Sequence, residues 1–461
     1  MIPIDAITGE QIKHFDLGDV RLNKRAQLCF SRFDESGPAN TFPGIFKDQK
    51  ELKGFYRFVN NPSVRQENIY AGYRKGLASL AKTDVRIMEQ PRLYLFQDTT
   101  YGKYHNRKGL KLGYLETLSD NGVVLHNGIL TDGQFNPLGI PVQEFIVRDH
   151  DDYGKRHQRK EKPFEQKESY KWVSSIQWAQ SFEKQTGKKV VQVADREADI
   201  ADLFNYALAH EQSFIIRAQW NRRLQGAKAD YLFAFMRRQP IEGNILVPLL
   251  DDKGKKHQVE FSLRFSTVKL KDVSAPIQAI WLEQLQPYEG QKQLASYMLV
   301  TDLPVHDPED AQQILHIYTQ RWRTCEDFHK CLKTGCAIQE RQIENVPALK
   351  NALAMLSLMA IRLLRMRHMA LIDAQAPLTE VLEEEEIPLA RHLAGKYLKP
   401  IDLTFAPKET VFWWVLLLGR LGGHQGFKQK GMPGWQTLWK GWLYFRTLQE
   451  GINLSKNFVP T

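Results

Sequence analysis

Apolar and polar positions along this chain follow two different periods, and the change of period divides it. In HFDLGDVRLNKRAQLCF the apolar residues Leu22, Ala26 and Cys29 recur at helical spacing, with Arg21, Lys24 and Arg25 on the other side. The acid and glycine before them read as a helix start. KELKGFYRFVNNPSV is a second helix, stopping at Asn60-Asn61-Pro62. From about Arg92 the pattern becomes that of strands. RLYLFQDTT, TLSDNGVVLHNGILTD and PLGIPVQEFIVRD read as consecutive strands joined by Asn-Gly and Gly turns. The polar stretch from Asp149 to Lys167 reads as a loop.

SYKWVSSIQWAQSFEKQTG is then a helix ending at Gly187, and KKVVQVADREADIADLFNYALA is a buried strand, an acid and a helix. SFIIRAQWNRR is the next strand. This alternation predicts an α/β core. The segment from about 225 to 305 reads as mostly β, an insertion into that core. Long helices follow from Asp307 to about Met369. A separate helical tail from Ala374 to Thr461 carries the acidic run Glu383 to Glu386 and an aromatic-rich end. The apolar runs ALAMLSLMAI and VFWWVLLLG are each about half of what a bilayer span needs, so both are expected as buried core helices and no membrane as a partner.

At 461 residues the chain is long enough for two or three domains. A formal net charge of +10 suits a polyanionic partner, though charge alone moves that expectation little. The start shows no basic-then-apolar leader, so a cytoplasmic protein is expected. Cys29, Cys325, Cys331 and Cys336 form no CxxC pair and read as reduced thiols rather than zinc ligands. His150, Asp151, Asp152 and His157 match no known metal spacing.

Three acids carry the candidate chemistry. Asp98 and Asp195 follow the apolar runs LYLF and VVQV, where a sheet puts its functional groups at strand ends. Glu326 lies on a charged, helix-like segment, with Lys330 and Lys333 four and seven residues on. Mg²⁺ takes hard oxygen ligands, and two such ions about 4 Å apart can activate a water and stabilise a leaving oxygen in phosphodiester cleavage. Each acid also has a plainer role available, as a helix cap or a salt-bridged helix residue. Glu197 and Asp199 read as serving the dipole of the following helix. Arg217, ending SFII, would lie near the same sheet edge and could grip phosphate. Phosphate loops, GxSxG and HExxH are absent, which disfavours the corresponding kinases and hydrolases.

LGDVRLNKRA, GFYRFVNNP, QDTT, EKPFEQKESYKW, ADREADI, the Y-x-x-R…E…K pattern in YTQRWRTCEDFHKCLK and LGRLGG together resemble the DDE cut-and-paste transposases of bacteria, more narrowly insertion-sequence family four. The similarity runs in order along the whole chain. It implies an α/β fold with a ribonuclease-H-like catalytic core (76–372, β insertion about 225–305). A helical DNA-end-binding domain (1–75) and a helical dimerisation domain (373–461) flank that core. It implies Asp98, Asp195 and Glu326 as catalytic metal ligands for Mg²⁺, with Mn²⁺ a substitute. Tyr318, Arg321 and Lys333 would hold the end phosphates with Lys330 nearby, Arg217 would lie near the DNA end, and Tyr297 would stack on a flipped base. Arg21, Lys24, Arg25 and Arg57 would bind the end DNA.

One departure stands out. Four residues, Trp322 to Cys325, separate Arg321 from Glu326 where the family has three. An extra residue turns a helix by about 100° unless a π-bulge absorbs it. The expected function is a transposase that binds the inverted ends of its element, cuts through a hairpin and joins the 3′ ends to target DNA. Its partners are double-stranded DNA and a second copy on that DNA, with the bacterial cytoplasm and nucleoid as its place. The alternatives are an inactive end-binding relative that regulates transposition and a stand-alone structure-selective nuclease.

Overall fold

A computed structural model describes residues 6–37, 41–46, 48–104, 109–155, 158, 161–226, 230–250, 256–427 and 431–456. His157 lies outside these. The chain forms two compact units: residues 1–90, 99–156 and 324–461 make one, residues 91–98 and 157–323 the other. It is mixed α/β, with nine strands among the described residues: β1 Arg92–Lys103, β2 Gly122–Thr131, β3 Pro137–Ile146, β4 Lys189–Ala194, β5 Phe214–Arg217, β6 Gly243–Leu250, β7 Lys256–Val268, β8 Ile277–Gln284 and β9 Ser296–Thr301. Their sheet order is β3-β2-β1-β4-β5-β9-β8-β7-β6, and β1 is the strand in which the chain passes from one unit to the other.

In the second unit β1, β4 and β5 run parallel, with Phe96 opposite Val193 and Ala194 opposite Ile216. Their middles are buried and mainly apolar, as strands covered on both faces require, and the one buried amide in β4, Gln192, accepts from Gln97 of β1 at 2.7 Å. The predicted β insertion is an antiparallel continuation of the same sheet: β9 pairs with β5, then β8, β7 and β6 follow. Pro248, which cannot donate to a ladder, sits on the outermost strand, where it costs least. The helix Lys171–Thr186 stops at Gly187, as the sequence predicted, and the φ of +73° there makes a left-handed cap. Trp172, Phe204, Phe214, Met236, Trp281 and Met298 belong to the buried core of this unit.

In the first unit β2 and β3 pair as an antiparallel hairpin. Asn127-Gly128 is not a turn, as its dipeptide suggested, but lies inside β2. Asn127 is buried and its amide is bonded within the interior, while Gly128 sits at a register shift. The connecting turn is built by Asp132 instead, whose Oδ1 accepts from the backbone of Gln134 and Asn136.

The helix Val346–Ile372 runs through the middle of this unit, started by Asn345, whose side chain accepts from the Ala348 N–H. At 27 residues it is more than twice as long as the apolar run alone suggested, and by length and composition could cross a membrane. However, 83% of its apolar window is buried inside the protein. At the amino terminus Phe33, Phe42, Phe46 and Phe55 pack ring on ring. The helix Val20–Ser36 is fixed at its far end by charge: buried Asp34 pairs with Arg362 and Arg446, and Arg446 also pairs with Glu386. The Trp442 indole donates to the Asp34 carbonyl at 2.7 Å. The acidic run of the tail thus includes a buried, paired residue.

Candidate active site and nucleic-acid interface

Asp98 and Asp195 belong to the same unit and to neighbouring parallel strands. Asp195 follows β4 directly. It caps a 3₁₀ turn, Arg196–Ala198, with Oδ1 accepting from Glu197 N at 2.9 Å. Its capping role and its place at a strand end coexist. Asp98 is not at the tip of β1, which runs on to Lys103. It lies two residues beyond Phe96, the last residue paired with β4. The functional position is therefore the end of the β1–β4 ladder, because QDTTYGK keeps the extended pattern after that ladder has ended.

The two acids sense each other. Burial, first, and the Asp98 charge, second, push the Asp195 carboxyl above the usual range; Arg321, the bond from Glu197 N and Lys171 pull it back. Arg321, last residue of the helix Pro308–Arg321, places Nη1 2.9 Å from Asp98 Oδ2. Tyr318, one turn earlier on that helix, is buried. Its phenol is pushed up by burial above all, with Arg321 and Arg217 lowering it and Asp195 raising it. Two carboxylates and two arginines thus share one electrostatic neighbourhood. No group of three or more His, Cys, Asp or Glu side chains suited to a metal occurs among the described residues. The pair itself fits a hard divalent ion, because Mg²⁺ is commonly held by one or two carboxylates while waters and phosphate oxygens complete its shell.

Beside the acids is a pocket of about 220 Å³ lined by Arg196, Arg217, Phe233, Trp281, Ser296 and Met298, among others. Arg217 leaves β5 at the same end at which Asp195 leaves β4, since Ile216 is the partner of Ala194. The Trp281 indole donates to Ser296 Oγ at 2.7 Å, and the Arg237 guanidinium lies 5.2 Å from the indole centre. Met298 is opposite Trp281 on β9, and Tyr297 is opposite Leu282. Strand alternation therefore turns Tyr297 to the face away from Met298. There it meets the Phe261 ring, with the Arg217 guanidinium 4.6 Å over it.

The extra residue before Glu326 is taken up by a π-helical turn, Trp322–Glu326. Its wider hydrogen-bonded loop holds one more residue per turn, so the helix continues without the rotated start that a plain α-helix would need. Cys325 is fully buried in that turn. Glu326, Lys330 and Lys333 belong to the first unit. Burial pulls the Lys333 ammonium down and Lys103 lowers it further, while Glu326 raises it. Lys330 is exposed. A second π turn, Cys331–Gly335, follows the short helix Asp327–Lys330. On that short helix His329 is buried and bonded to the Asn127 amide at 3.1 Å.

Also in the first unit, the helices Val20–Ser36 and Gln49–Val59 are joined by Arg32, whose Nε and Nη2 donate to Glu51 at 2.8 and 2.7 Å. Arg21, Lys24 and Arg57 are exposed on them. Arg21 folds back on Asp19, the cap of its helix, at 2.9 Å. Arg25 lies against Gly54 of the second helix, where a Cβ would stand 2.9 Å from its guanidinium. So one cation of the predicted set packs between helices while Arg21, Lys24 and Arg57 face solvent.

Residues 5–64 match the family described as transposase DNA-binding. The match covers the two basic helices and ends just after the Asn60-Asn61-Pro62 stop. It supports a transposase with DNA as its partner.

Sequence reasoning assigned Asp199 to a helix dipole and missed its work. It is buried, and its Oδ2 accepts from the backbone of Gln219 and Trp220 at 2.7 and 2.8 Å. Its Oδ1 accepts from Arg222 Nε at 2.8 Å. It thus clamps the loop after β5 that carries Ala218 and Gln219 in the pocket wall. The signal available was its place inside DREADI, four residues after Asp195. Phe233 and Trp281 carried no sequence signal apart from being aromatic in a β-rich stretch.

Proposed function

We propose that the protein is a metal-dependent DNA transposase that binds the inverted ends of its element, cuts them through a hairpin and joins the 3′ ends to target DNA. The observation that carries this reading is the half-buried pair Asp98 and Asp195, with arginines beside it, in a chain whose amino terminus matches a transposase DNA-binding family. The order β3-β2-β1-β4-β5 supports a ribonuclease-H-like core. Asp98, Asp195 and, from its place in the Y-R-E-K pattern, Glu326 would hold Mg²⁺ or Mn²⁺. The bound metal would supply an activated water and charge stabilisation for the leaving oxygen.

The chain's own groups do the rest. Arg217, Arg321 and Lys333 hold phosphates, arginine by its two-pronged donor geometry. Tyr318 would hold the end phosphates with them, and Lys330 would add a further cation. Arg21, Lys24, Arg25 and Arg57 bind the end duplex. An unstacked base next to the cut would be received by Trp281 and Phe233 rather than by Tyr297, because only the former line the pocket. Cutting two ends together calls for two protomers, with residues 373–461 as the pairing region, in the bacterial cytoplasm. The extra residue before Glu326 is the one feature favouring a binding-only relative. It sits in a π turn, so that reading comes second.

The test is a labelled duplex ending in the element's terminal repeat, with Mg²⁺ or with EDTA. Cutting at the repeat boundary in Mg²⁺ only is expected. Tight binding without cutting, in Mn²⁺ as well, would favour the binding-only relative.

A further inference from the structure

Asp98 and Arg321 make an ion pair with little access to water: their side chains are 13% and 5% exposed. A guanidinium keeps its charge at any working pH, and carboxylates held close together out of water need a cation. Here the chain supplies one of its own, on an oxygen that the proposed metal would use. Nη1 lies 2.9 Å from Asp98 Oδ2, a position no metal ligated by that oxygen could share.

We propose that Arg321 is an internal counter-ion of the acid pair, displaced from Asp98 by the divalent cation and thereby released to hold phosphate. This inference rests on the reading of Asp98 and Asp195 as metal ligands. The surroundings provide a way out. The guanidinium lies 5.9 Å from the Tyr318 ring centre and 5.5 Å from that of Trp322, and Trp322 is 63% exposed. The aromatic face of Trp322 therefore leads the guanidinium from the half-buried acid toward solvent, where DNA would arrive. Carboxylate and phosphate compete for the same two-pronged donor. Metal loading and phosphate capture are then one coupled event, each strengthening the other.

The test is Mn²⁺ binding to the full chain without DNA, followed by the electron paramagnetic resonance of the free ion. Arg321→Gln removes the competing charge and is expected to bind Mn²⁺ on the order of tenfold tighter than wild type, within the usual range of coupling between sites. Arg321→Lys, which keeps the charge, is expected to stay close to wild type. Equal or weaker binding by Arg321→Gln would overturn the counter-ion role. Wild type binding Mn²⁺ no better than Asp98→Asn would instead remove the metal-site reading, and this inference with it. Should Arg321→Gln fail to fold, the wild type decides alone. Phenylglyoxal is expected to modify Arg321, located by mass spectrometry, faster in Mn²⁺ than in EDTA; equal rates would overturn the proposal.

Discussion

The acid edge of the second unit and the basic helices at the amino terminus use charge in opposite ways. At the acid edge the two acids are half-buried, Arg321 is buried against Asp98, and each group acts on the next, so their mutual effects are strong and their positions fixed. On the amino-terminal helices Arg21, Lys24 and Arg57 stand in solvent, where each charge is screened and worth little alone. The first arrangement suits chemistry at one point. The second suits a long polyanion, whose affinity is a sum of many weak attractions.

The largest expected effects lie at the two aspartates, and their signs should differ. Asp98→Asn takes a carboxylate from the buried Arg321 and is expected to cost about 3–5 kcal/mol of stability, the range for breaking a buried pair. Asp195→Asn should do the opposite at neutral pH. The Asp195 carboxyl is raised in the folded protein, so its ionised form favours unfolding. A raised carboxyl is fully compatible with the fold below its unfolded value. It loses that advantage as pH rises through the higher folded value. Asp195→Asn should therefore melt above wild type at pH 7, while the gap closes on acidification below the usual aspartate range. Thermal denaturation across that window checks both signs. A lower melting temperature for Asp195→Asn at pH 7 would mean that its cap on the 3₁₀ turn outweighs the repulsion. Both substitutions should abolish cutting.

Asp199→Asn is the next step down. It weakens a buried pair with Arg222 and the clamp on residues 219–220, so a loss of about 2–4 kcal/mol in urea unfolding is expected. Trp281→Ala should weaken retention of the cut end by about 1–3 kcal/mol, the value of one base–aromatic stack, with Tyr297→Ala having less effect. The reverse ranking would return the stacking role to Tyr297. On the basic helices the expected change is smaller and of another kind. Lys24→Ala with Arg57→Ala should weaken end binding and lower the salt slope by about 0.9 for each phosphate that is no longer neutralised. An unchanged slope would separate these helices from the DNA.

Much of the fold was legible because period and punctuation agree. The helices at Val20–Ser36 and Lys171–Thr186 carry the cap and stop residues that their sequences advertise. Asp195 was legible as an acid after a buried strand. The misreadings share a physical cause: the sequence shows which residue types are present, not which neighbours satisfy them. Asn127-Gly128 carries the signature of a turn, yet its amide is bonded by Gln143 and His329 inside the unit. Asp199 looked like a helix-dipole residue, and its three donors come from a loop twenty residues on. The π turn before Glu326 is intermediate. Counting residues revealed the surplus, but only the backbone shows how it is absorbed. Deleting Cys325 should accordingly lower activity rather than restore it, since a buried side chain and an accommodated turn disappear together.

The division of labour between the two regions is tested most directly by one duplex bearing the terminal repeat, assayed for binding and for cutting in Mg²⁺. Wild type, Asp98→Asn and the Lys24→Ala, Arg57→Ala double variant are compared. The expected result is that Asp98→Asn binds like wild type and does not cut, while the double variant binds more weakly but cuts whatever duplex it holds. Cutting by Asp98→Asn, or wild-type binding by the double variant, would contradict the assignment of chemistry to one region and recognition to the other.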